Sequence, residues 1–260
     1  MKQTFQMLST DLKRAFGSIG FLIAAAGIWI VYYSGARTEM LHAPDVLLLF
    51  KYSAGASGIN TIQILLCVLP YTTSFCSDWN SKYIMPVVIR SGTYRYAWSK
   101  IISCALSSGA SIALGILLFI LPFTLRIPLV SAEAGNFEAF ATRTLGGELL
   151  QNDHYIAYFA IYIYLAFLSG AFWSVVGLCA SAYISNKFVA LFTPFIGLYV
   201  LSLITYQFPP YLQLNKVTNG DFRIGSTSAS LIYATLLIVA LLAVVGFFFV
   251  KTVKKRLSNE

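Results

Sequence analysis

The side chains able to bind a metal, attack a carbonyl or move a proton are few. The sequence has two histidines, His42 and His154, and four cysteines, Cys67, Cys76, Cys104 and Cys179. His154 follows Asp153 directly, but adjacent residues on a helix project to different faces and do not form a working pair. Neither histidine has a neighbour at metal-ligand spacing, and the patterns H-E-x-x-H and G-x-S-x-G are absent. Cys67, Cys104 and Cys179 fall in apolar runs and Cys76 at the end of one, with no zinc or redox spacing. They read as small buried hydrophobes. No G-x-x-x-x-G-K-[ST] loop exists to cradle the phosphates of ATP. No catalytic, cofactor-binding or metal-binding residue is therefore assigned, and the chain is not expected to be an enzyme.

Chemistry of another kind is concentrated in CSDWNSKYIMPVVIRSGTYRYAWSK, the stretch 76–100. It carries Lys82, Arg90, Arg95 and Lys100 against the single acid Asp78, together with Trp79, Trp98, Tyr83, Tyr94 and Tyr96. Asp78 can cap a helix N-terminus. Trp79, Tyr83 and the run 84–89 supply an apolar side, Pro86 kinks or restarts the helix, and Ser91-Gly92 ends it. Arg95 and Lys100 then stand at the rim of the following apolar run, among interfacial aromatics. A short amphipathic helix at a membrane face suits the groove of a soluble partner.

The elements that must hold this segment are membrane spans. Of 260 residues 58% are hydrophobic and 11% charged, against about a quarter charged in a soluble domain. The apolar runs have the roughly 20 residues needed to cross hydrocarbon about 30 Å thick, and in lipid each must be helical. The expected fold is an all-α integral membrane protein with six spans at 16–34, 54–75, 101–125, 155–184, 188–206 and 229–250. The first is read as a retained span because no small-residue cleavage site follows it. With both termini in the cytoplasm, the inner segments hold Lys2, Lys13, Arg14, Lys82, Arg90, Arg95, Lys100, Lys187, Lys251, Lys254, Lys255 and Arg256. The outer ones hold only Arg37, Lys51, Arg126, Arg143, Lys216 and Arg223. This positive-inside bias explains the net charge of +8 without nucleic acid. Residues 1–15 precede the first span as an amphipathic interfacial helix, with Phe5, Leu8, Leu12 and Phe16 on its apolar stripe and Asp11, Lys13 and Arg14 off it.

Within the spans, Asn60 and Gln63 lie one turn apart, with Cys67 on the same face. Polar groups at that depth face protein or a cavity. Gly170, Ser174, Gly177 and Ser181 form a small-residue stripe for close helix packing, and Pro194 kinks the fifth span. The outer segment 126–153 is read as a small cap. Its excess of acids, Glu133, Glu138, Glu148 and Asp153, suggests contact with cationic or amphipathic peptides.

The stretch after the second span resembles the coupling-helix segment of type-2 ATP-binding-cassette (ABC) exporter permeases. Phe75, Asp78, Asn80-Ser81, the helix 83–89, Arg90-Ser91-Gly92-Thr93, Arg95 and Lys100 follow that family's order. The plan is also similar: an interfacial helix, six spans, a cytoplasmic coupling helix between spans 2 and 3, and no ATPase. Many members carry Glu near Asn80 and Gly near Lys82, which this sequence lacks. The resemblance implies a single permease domain over 1–260 in a bacterial plasma membrane, paired as a homodimer or heterodimer. It implies a separate ATP-binding subunit that carries ATP and magnesium. It also implies coupling through Asp78, Trp79, Tyr83, Arg90, Ser91, Tyr94, Arg95 and Lys100. In that family spans 2 and 5 line the path, which makes Asn60, Gln63, Phe195, Tyr199 and Thr205 the lining candidates. Export of a peptide, bacteriocin or drug, including self-protection, is the expected activity. The segment before the last span, beginning QFPPYL, resembles the re-entrant outer elements of such permeases or is a plain loop. The competing expectations are a non-transporting scaffold or sensor docking another cytoplasmic protein, and an intramembrane enzyme, which would need paired reactive groups at one depth.

Overall fold

The structure, a computed structural model, describes residues 2–55, 58–131 and 137–259. Glu133, one of the acids assigned to the cap, lies outside the described residues. The described chain is helical without strands. An N-terminal helix α1 (Lys2–Phe16) turns at Gly17-Ser18 into α2 (Ile19–Ala36). The Ser18 hydroxyl accepts from the Phe21 amide at 3.1 Å and so satisfies one of the free N–H groups at the start of α2. Three short helices follow: α3 (Val46–Gly55), α4 (Ile59–Cys67) and α5 (Ser74–Asn80). Next come α6 (Ile84–Ser91) and the long α7 (Thr93–Thr124). The short α8 (Phe137–Arg143) and α9 (Gly147–Gln151) lead to α10 (Tyr155–Tyr183) and α11 (Lys187–Thr205). A 3₁₀ turn, the short α12 (Leu214–Asn219) and α13 (Thr227–Ser258) complete the chain.

Among the described residues, α2, α7, α10, α11 and α13 are long and apolar enough to cross a membrane. This is the construction of an all-α membrane protein. The second expected span, 54–75, is not one helix. It is divided into the end of α3, α4, a turn over 68–73 and the start of α5. Non-helical backbone at membrane depth persists only where protein buries it or a cavity lies beside it. Both conditions are met here. The Pro70 carbonyl accepts from the Ser18 hydroxyl at 3.1 Å, Val68 and Tyr71 are buried, and Gly55 and Gly58 border a cavity.

α10 is the central post, packed on α7, α11 and α13. The small-residue stripe on α10 permits that packing on two sides. A Cβ at Gly170 would lie 2.6 Å from Ile112 Cδ1 on α7, while one at Gly177 would lie 2.5 Å from the Ala190 carbonyl oxygen on α11. The second neighbour is backbone and cannot rotate away. Gly177→Ala is therefore expected to destabilise the protein by about 1–3 kcal/mol. A thermal melt in detergent measures this, and an unchanged midpoint would mean that α10 and α11 are not in this contact.

The segment expected to be an outer cap packs, through α9, against the start of α10. The Leu145 amide donates to the Gly220 carbonyl at 3.0 Å. Leu145, Leu165, Val217, Phe222 and Ala234 form one buried cluster. Glu148, one of the acids expected to face cationic peptides, is paired with Arg223 at 2.6 Å and accepts from Thr227.

Candidate functional site

Opposite that cap, the base of the bundle gathers α1, α5, α6, the start of α7 and the end of α13. The apolar stripe expected on α1 is not its buried face: Phe5 is 75% exposed, whereas Asp11 and Ala15 point inward. Asp11 lies off the stripe, as expected, but on the side that faces the protein. It is buried because a full set of partners awaits it. Its Oδ1 accepts from Tyr71 Oη at 2.5 Å and Lys100 Nζ at 3.3 Å, and its Oδ2 accepts from Ser99 Oγ at 2.5 Å. Lys100 Nζ also donates to Tyr71 Oη at 2.8 Å and pairs with Asp78 Oδ2 at 2.8 Å. Tyr96 Oη donates to the same Asp78 oxygen at 3.0 Å, and Arg14 approaches Asp78 Oδ1 at 3.7 Å. Two carboxylates face two cations, and each of the four carboxylate oxygens has a partner. A buried charge is tolerated on that condition.

Asp78 was expected to cap a helix N-terminus. It instead sits inside α5, and its side chain holds α7 and α1. Of the eight coupling candidates, Asp78 and Lys100 are buried and bonded to each other. Trp79 is stacked on Phe75 at 5.7 Å and covered by the Arg256 guanidinium at 4.0 Å. Ser91 donates to the Val87 carbonyl at 2.7 Å near the end of α6. Tyr83, Arg90, Tyr94 and Arg95 are exposed. Pro86 sits at the third position of α6, in the first turn, where a missing N–H costs little. Gly92, at φ +82°, breaks α6 from α7. The result is a short amphipathic helix fixed by Ile84, which is 1% exposed, and presenting Ile89, which is 84% exposed.

A second site lies near the other end. A cavity of about 540 Å³ is bounded by α3, α4, α7, α10, α11 and the segment around α12. That volume lies in the range of small-molecule pockets. Three of the five lining candidates, Asn60, Gln63 and Tyr199, border it. Gln63 Oε1 accepts from Tyr32 Oη at 3.0 Å, and Thr61 and Tyr199 hydroxyls meet at 3.4 Å across α4 and α11. Phe195 does not border the cavity but packs its ring on Tyr199 at 5.1 Å. Thr205 turns its hydroxyl back to the Leu201 carbonyl at 2.8 Å and also stands apart.

Lys51 is the cavity residue that charge counting passed over, because it was assigned to topology. Its ammonium lies 3.6 Å from the Tyr162 ring centroid and 5.7 Å from that of Tyr158. The signal was present in VLLLFKYSAG, where one cation interrupts an otherwise apolar helix. Among the described residues no cluster of His, Cys, Asp or Glu suits a metal ion. No protein-family model, curated protein or solved structure matches the chain.

Proposed function

We propose that this chain is the membrane-spanning permease subunit of an ATP-driven exporter of the ABC type, working with a separate ATP-binding subunit. The observation that carries the reading is α6. It is a short helix with an outward Ile89 and Arg90, seated on the base by the buried Ile84 and flanked by α5 and α7, which a buried charge cluster ties to each other and to α1. Such a helix is suited to lie in a partner's groove. A push on α6 would pass to α7, on which it packs, and to α5, which Asp78 and Lys100 tie to α7, rather than be absorbed by a loose loop. On this reading the base faces the cytoplasm of a bacterial cell, and two permease chains, alike or different, assemble with the ATPase. The cargo class that fits is a peptide, bacteriocin or drug, for export or self-protection.

The test is affinity purification of the tagged chain from its native host in mild detergent, followed by mass spectrometry. A stoichiometric soluble protein with a P-loop and ATPase activity is expected. Recovery of an intact chain with no nucleotide-binding partner would refute the reading and favour a scaffold or sensor.

A further inference from the structure

We infer that the cavity beside Lys51 is a binding site for the anionic headgroup of a membrane lipid. The inference does not depend on any ATP-driven partner. Lys51 is half-buried within an apolar helix, a costly place for a cation unless it is used. None of the ion pairs among the described residues neutralises it. The Tyr162 ring holds the ammonium by its negative face and leaves its N–H groups for an acceptor. Asn60, Asn219 and Ser202 border the same space and can complete the hydrogen bonds of a phosphate.

Apolar side chains, Ile64, Leu198 and Trp173 among them, share the wall with the polar Gln63, Ser169, Asn215 and Thr218. On the α4–α11 side the Thr61 and Tyr199 hydroxyls meet at 3.4 Å, and Tyr199 is half-exposed. The outward residues of α11, among them Ile196, Val200 and Leu203, belong against hydrocarbon. A headgroup at Lys51 therefore has a lateral route for its acyl chains, which a free inorganic anion does not need. Asp221, exposed at the rim, opposes an anion and sets a second handle.

The experiment is equilibrium binding to the whole purified chain in a non-ionic detergent, with short-chain phosphatidylglycerol, short-chain phosphatidylcholine and inorganic phosphate as probes. Saturable binding of phosphatidylglycerol is expected. It should weaken about ten-fold or more in Lys51→Met and be largely retained in Lys51→Arg, because the ion pair needs the charge. Asp221→Asn should tighten it. Circular dichroism and melting of each variant guard against misfolding. Binding of phosphatidylglycerol that is the same in folded Lys51→Met, or absent from the folded parent, would overturn the assignment. Phosphate saturating the site as tightly as phosphatidylglycerol would overturn the lipid as occupant.

Discussion

Replacing Lys100 with methionine is expected to destabilise the protein by about 3–5 kcal/mol, the range for removing one partner of a buried charge network. Lys100 is 1% exposed, and its three N–H groups are directed at Asp78, Asp11 and Tyr71. Methionine fills most of the volume, so the loss is electrostatic rather than a cavity. Two carboxylates remain in a site that water does not reach, with only the more distant Arg14 to offset them. The effect should appear as a lowered melting temperature in detergent. It should also appear as faster proteolysis at α1, because Asp11 is what holds that helix inward. Neutralising the acids as well, with Asp11→Asn and Asp78→Asn in the same chain, should recover much of the loss. If Lys100→Met alone melted like the parent, the cluster would not be the anchor of the base.

That cluster shows where sequence reasoning reached and where it stopped. Apolar run length located α2, α10 and α11 closely and also found α7 and α13, which continue well past the expected spans into the polar base, because the hydrocarbon thickness sets a length that composition alone reveals. The Ser91-Gly92 break was legible because glycine at positive φ is a local requirement. The inward face of α1 was not legible. Phe5, Leu8, Leu12 and Phe16 have the periodicity of a buried stripe, but a helix lying at a membrane surface gives its apolar side to lipid. Its polar side can then turn inward if partners are supplied from far along the chain. The partners of Asp11 are Tyr71, Ser99 and Lys100, at separations of 60, 88 and 89 residues. No local pattern encodes them. The division of 54–75 was hidden for a related reason. Hydropathy averages across a break and does not register that Gly55, Gly58 and the Pro70 turn border a cavity and a neighbouring helix. Lys51 belongs to the same class of miss: the count that fixed orientation treated every basic residue alike.

If α6 docks an ATP-binding subunit as proposed, changing its outward side, with Ile89→Asp and Arg90→Glu together, is expected to leave the fold intact and sharply reduce recovery of that subunit. Both side chains are exposed, so stability should move by only about 0.5 kcal/mol. The docking helix would lose its apolar contact and have its basic side reversed. Removal of a central anchor typically costs an interface about 2 kcal/mol or more, and reversal of the charge removes any complementarity that Arg90 supplies. Co-purified ATPase should therefore fall by at least about thirty-fold at fixed expression, while the melting temperature stays with the parent. Lys100→Met predicts the opposite pattern, with stability lost first and capture lost only as a consequence. The two variants thus separate the part of the base that touches a partner from the part that transmits the contact inward. Unchanged capture and transport in the Ile89/Arg90 variant would remove α6 as the docking surface, even if an ATPase still accompanied the chain. The contact would then have to be sought on the exposed Tyr94 and Lys254 side of the base, where the Lys254 ammonium lies 3.4 Å from the Tyr94 hydroxyl.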